Sequence, residues 1–137
     1  MNRTDFQRLA TARLADAKAL FEAECWPGLY YVSGYAVECA MKACIAKQTR
    51  AEDFPDKETA TKCHTHNLAI LTFFADLEED LETTKGSSRR FARHWEIVKD
   101  WNPRARYELT SESKARELYQ AVIDPRDGVM PWILTHW

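Results

Sequence analysis

The stretch WNPRARYE, residues 101–108, sets Arg104 and Arg106 next to Tyr107. A planar guanidinium holds a phosphate through paired hydrogen bonds, and a tyrosine ring offers a face on which a base can stack. These three residues are the first candidates for binding a nucleotide or RNA. Seven basic residues fall between positions 85 and 106, namely Lys85, Arg89, Arg90, Arg93, Lys99, Arg104 and Arg106, against only Glu96 and Asp100. Just upstream, Asp76, Glu78, Glu79, Asp80 and Glu82 form an acidic run. The local field therefore favours an anionic ligand, unless the two runs pair with each other or across a dimer.

A second group lies in LYYVSGYAVECAMKACIAK, residues 29–47. On a helix, Tyr31, Tyr35, Glu38 and Lys42 share one face. Glu38 and Lys42 are either an exposed ion pair or partly buried groups that line a cleft. Arg106 is an alternative partner for Glu38, closing the bundle. A third group is KCHTHNL, with Cys63, His64 and His66. No second spaced pair of ligands completes a zinc set, so no metal and no cofactor are expected. Cys25, Cys39, Cys44 and Cys63 lack CxxC spacing and are read as reduced thiols.

These side chains need a scaffold, and the composition points to helices. The chain has 137 residues with a formal net charge of -2, and only 4 Gly and 5 Pro interrupt it. That length suits a single domain over 1–137 with a real core. A near-neutral charge carries no global basic field, so nucleic-acid binding would have to be local. The charged N-terminus is unlike a signal peptide. Glu38 and Lys42 interrupt the long apolar run, which is shorter than the about 20 residues of a membrane span. A cytoplasmic protein without membrane contact is expected.

Apolar periodicity predicts a first helix from about Asp5 to Glu24, with Thr4 and Gln7 as a capping box. Trp26-Pro27-Gly28 breaks it, and a second helix runs to about Gln48 as its antiparallel neighbour. Gly34 inside that helix implies close packing, since it costs about 1 kcal/mol relative to Ala. Residues 49–63 read as a loop. A third helix begins near Asn67 and continues into the acidic run. Ser88 caps a fourth, with Phe91, Trp95, Val98 and Trp101 inward, stopped by Asn102-Pro103. A fifth covers Ser111 to Ile123. Asp124 to Gly128 is a turn, and Trp132, Ile133 and Trp137 belong to a short last helix.

The segment YVSGYAVECAMKACIAK resembles the second helix of HEPN domains. THNLAIL, the Arg-Tyr element of WNPRARYE and the closing GVMPWILTHW are similar to further stretches of that family, in the same order. The resemblance implies an all-α, up-and-down bundle of four or five helices with a short C-terminal helix, commonly a homodimer. It also implies binding of RNA or a nucleotide, or partnership with a small nucleotidyltransferase, in toxin–antitoxin or defence settings. On this reading Tyr35, Glu38, Lys42, Arg104, Arg106 and Tyr107 form the nucleotide- or RNA-binding set.

Nucleases of the family pair an Arg with a His four to six residues later, across a dimer. Arg89 and His94 have that spacing here. The His would move a proton at the ribose and the Arg would neutralise phosphate charge, without metal. Arg104-Ala-Arg106-Tyr107, however, stands where the family's motif normally opens its last core helix, and no His follows it within reach. The favoured expectation is therefore a non-catalytic binding protein. The alternatives are a metal-independent endoribonuclease using Arg89 and His94, and a structural dimerisation module without a nucleic-acid ligand.

Overall fold

The computed structural model of the chain describes residues 1–48, 60, 61 and 63–137, and every regular element among them is helical. α1 spans Arg3–Glu22, α2 Trp26–Gln48, α3 Leu68–Phe74, α4 Glu78–Ser87 and α5 Arg89–Lys99. A 3-10 turn at Pro103–Tyr107 leads to α6, Glu112–Ile123, and α7, Val129–Leu134. The expected all-α bundle is what the chain forms. No helix among the described residues is long and apolar enough to cross a membrane. Most of the expected loop at 49–63 lies outside the described residues.

α1 starts two residues earlier than its apolar pattern suggests. The capping box is made by Asn2 and Asp5, not by Thr4 and Gln7. The Asn2 side chain accepts from the Asp5 N–H at 3.0 Å, and the Asp5 carboxylate accepts from the Asn2 N–H at 2.9 Å. Asn is as good a cap as Thr, and Asp5 then sits at the positive helix end. The helix stops where Glu24 takes a left-handed φ of 58°, with the Cys25 N–H donating to the Leu20 carbonyl at 2.9 Å. α2 folds back along α1, so that Leu20 lies by Gly28 while Phe6 and Leu9 share a cleft with Ile45 and Ala46.

α2 is the hub. It touches α1, α3, the 3-10 turn, α6 and α7, and twelve of its residues between Leu29 and Cys44 are buried. Ser33, Gly34, Ala36, Ala40 and Ala43 keep its surface low enough for neighbours on several sides. The tightest approach is at Gly34, where a Cβ would overlap the indole of Trp101. Trp101 itself is 2% exposed and lies two residues beyond the end of α5, whose buried stripe is Phe91, Trp95 and Val98.

The third helix is shorter than expected, because the chain breaks at residues 75–77. Asp76 adopts a left-handed φ of 56°, and the Leu77 N–H donates to the Thr72 carbonyl at 3.1 Å. Glu78, Glu79 and Asp80 then fill the first turn of α4. Carboxylates are stabilising at a helix start and destabilising near its end, so the acidic run favours a new helix over a longer old one. Ser88 caps α5 as expected, and Ser111, expected as the start of the fifth helix, caps α6. Asn102 caps the 3-10 turn, with Pro103 as its first residue. Trp132 and Ile133 of α7 are buried, and Trp137 packs half-buried against the core.

Candidate functional site

One face of α2 joins most of the expected binding residues. The rings of Tyr31 and Tyr35 lie nearly parallel, with centroids 6.1 Å apart. At one end of this line Tyr31 meets Trp101, also at 6.1 Å. The 3-10 turn sits beside it, capped by Asn102 and held by the buried Ala105. From that turn Arg104, Arg106 and Tyr107 project into solvent, and Tyr107 is 80% exposed. The Arg106 guanidinium lies over the Tyr107 ring, 4.9 Å from its centroid. Contact with Tyr107 first, and then with Tyr31, makes Arg106 hold its proton more tightly than usual. A cation already seated on an aromatic face is arranged to meet a phosphate and a base together.

At the other end of the line, about two turns along α2, lies a cleft of about 450 Å³. Phe6 and Leu9 of α1 and Ile45 and Ala46 of α2 form an apolar wall. Tyr35, Glu38, Lys42 and His66 supply its polar end. The Glu38 side chain is 3% exposed, yet it is charge-paired. Its Oε1 accepts from Lys42 Nζ at 2.8 Å and contacts His66 Nδ1 at 2.9 Å. A carboxylate acceptor implies that Nδ1 carries a hydrogen directed at Glu38. Glu38 Oε2 is buried with no hydrogen-bond partner among the described residues.

Burial governs the titration of the groups beside this cleft. It raises Tyr35, helped by contact with Cys39. It pushes the Cys39 thiol up to about 11, with the Glu38 charge adding to the effect. Cys63, also in the wall, is raised by burial too. None of these thiols is poised as a nucleophile. Among the described residues no three His, Cys, Asp or Glu side chains converge as a metal-binding group; Cys63, His64 and His66 line the cleft.

Tyr35, Glu38 and Lys42 thus meet at the cleft, while Arg104, Arg106 and Tyr107 gather at the 3-10 turn. Arg106 does not pair with Glu38, a correction to the alternative drawn from sequence. It sits beside Tyr31, seven residues before Glu38 on α2, and Lys42 and His66 already occupy that carboxylate. His66 is the residue that sequence reasoning missed in this role. It stood out only as a possible metal ligand, and a contact across 28 residues has no local signature.

Arg89 and His94 are not brought together within one chain. Arg89 is the exposed first residue of α5. His94 is largely covered, at 12% side-chain exposure, and its Nδ1 lies 3.0 Å from the Asp127 carbonyl. Arg90 reaches Asp124 at 2.8 Å, and the Ser88 hydroxyl donates to the Asp127 carboxylate at 2.7 Å. The start of α5 is thereby tied to the turn before α7. Backbone N–H groups of Arg126 and Asp127 hold the Asp124 carboxyl below its usual range, and Arg90 adds to this.

One ion pair joins the acidic run to the basic one and another lies within the basic segment. Lys85 meets Glu82 at 3.2 Å and Lys99 meets Glu96 at 2.7 Å. Asp80 instead accepts from the Trp132 indole at 2.6 Å and contacts His136 at 3.1 Å. Arg89, Arg93, Arg104 and Arg106 have no carboxylate within 4 Å among the described residues. In comparisons with known proteins, the chain matches no family model, no curated protein and no solved structure.

Proposed function

We propose that this chain is a HEPN-like, cytoplasmic protein that binds RNA or a nucleotide without catalysing a reaction itself. It would act as a homodimer or beside a small nucleotidyltransferase, in a toxin–antitoxin or defence context. The observation that carries the binding reading is the exposed Arg106–Tyr107 stack. It stands with Arg104 on an open surface, neither guanidinium has a carboxylate within 4 Å among the described residues, and the stack continues into the Tyr31–Tyr35 line. Phosphate would sit on the two guanidinium groups and a base on the Tyr107 face.

Fluorescence anisotropy with a labelled single-stranded RNA tests this. Binding should weaken steeply with salt, and each of Arg104→Ala and Arg106→Ala should lower the log–log salt slope by roughly 0.7. Undiminished affinity in the double variant would remove the site from the turn. The alternative of a metal-independent ribonuclease has weaker support, because His94 is covered and engaged with Asp127. RNA cleavage in EDTA that disappears in His94→Ala would establish it nonetheless. If RNA and nucleotides leave the melting temperature unchanged, the structural dimerisation reading stands.

A further inference from the structure

We infer that the cleft at Glu38 is a nucleobase pocket that selects guanine. The inference rests on the nucleotide reading for the class of ligand and adds which base enters and where. The cleft volume, about 450 Å³, lies in the range of small-molecule sites, and its make-up follows their pattern of apolar walls with a few converging polar groups. Phe6, Leu9 and Ile45 offer a flat heterocycle its apolar contacts.

The polar end defines the edge that fits. Glu38 Oε1 is already engaged by Lys42 and His66. Oε2 has no partner among the described residues, so both its lone pairs lack a donor. Lys42 spends one N–H on Glu38, which leaves two further donors on an ammonium that also lines the cleft. The protein therefore presents a twofold acceptor next to a donor. Guanine alone among the common bases carries the complement on one edge, the N2 amino group and N1–H followed by the O6 carbonyl. Adenine and cytosine present a single donor group beside a ring nitrogen, and uracil a single N–H between two carbonyls. Each would leave part of Oε2, an oxygen shielded from water, unsatisfied, which is how buried polar groups discriminate.

Oε2 has no solvent contact in the empty cleft. His66, with a side chain 56% exposed, rests on the same carboxylate and is the group that swings to admit the base. Its ring resonances therefore report occupancy.

The test is titration of the full chain with guanosine, inosine, adenosine and cytidine, followed by calorimetry and by the His66 imidazole signals in NMR. Nucleosides carry no phosphate, so the arginines at the 3-10 turn do not contribute. Guanosine should bind at least about tenfold tighter than inosine, which lacks only the N2 amino group. It should also shift the His66 signals. Glu38→Gln should bring guanosine down to the inosine level. Should Glu38→Gln fail to fold, Ala46→Phe fills the cleft from a half-buried wall position and should abolish guanosine binding. Equal affinity for all four nucleosides, guanosine preference surviving Glu38→Gln, or unchanged binding in Ala46→Phe would each overturn the pocket. RNA binding through Arg104 and Arg106 with no base preference would overturn the pocket alone. Absence of both RNA and guanosine binding would overturn the pocket and the nucleotide reading together.

Discussion

Trp101 reaches the backbone of α2 because Gly34 presents no side chain there. Alanine would raise helix propensity by about 1 kcal/mol, but its methyl would overlap the indole, and overpacking a filled core costs about 1–3 kcal/mol. Gly34→Ala should therefore be less stable in urea unfolding. A stabilised variant would mean that the ring can move aside freely. Asp80 offers a second single-residue test. The Trp132 indole N–H is the main cause of its lowered pKa, followed among the favourable contacts by His136. A carboxylate whose folded pKa is depressed adds stability that is complete above its ordinary value of 3.8 and lost as pH falls through the lower one. Asp80→Asn should thus be weaker at neutral pH, by roughly 0.5–1 kcal/mol for a half-exposed group. The gap to wild type should close by about pH 2, as measured by thermal melts across that range.

At the scale of elements, caps decide where helices begin, and one cap also joins two parts of the bundle. Ser88 Oγ accepts from the Phe91 N–H at 3.1 Å while donating to Asp127 at 2.7 Å. Ser88→Ala should cost about 1–2 kcal/mol in denaturant unfolding. A loss within a few tenths would show that the tie to the turn before α7 contributes nothing. Ser88 was legible as a cap, and Asn67 and Ser111 as helix starts, because each precedes a clear apolar stripe. The break between α3 and α4 was not, since Leu71, Phe74, Leu77 and Leu81 keep helical spacing straight through it. Only the left-handed turn at Asp76 interrupts the regularity. Charge at a helix start outweighed continuity of the apolar pattern.

For the whole molecule, α2 is enclosed by most other elements, so its amides should exchange only on global unfolding. Hydrogen exchange should find residues 36–44 the slowest in the chain, and fast exchange there would deny α2 its central place. The Tyr31–Tyr35–Glu38–Lys42 line was readable beforehand because i,i+4 spacing is a local property. The clasp of His66 on Glu38 depends on where the chain returns after a long excursion, which spacing alone does not encode. The same holds for Asp80, one member of the acidic run in the sequence but bound to Trp132 and His136 across the fold. The indole on Gly34 also gives the molecule a built-in optical probe. Trp101 is shielded from water yet touches Tyr31, so a ring system settling on the tyrosine line would alter its emission. A variant keeping Trp101 as the sole tryptophan would let that line signal its own occupancy without a label.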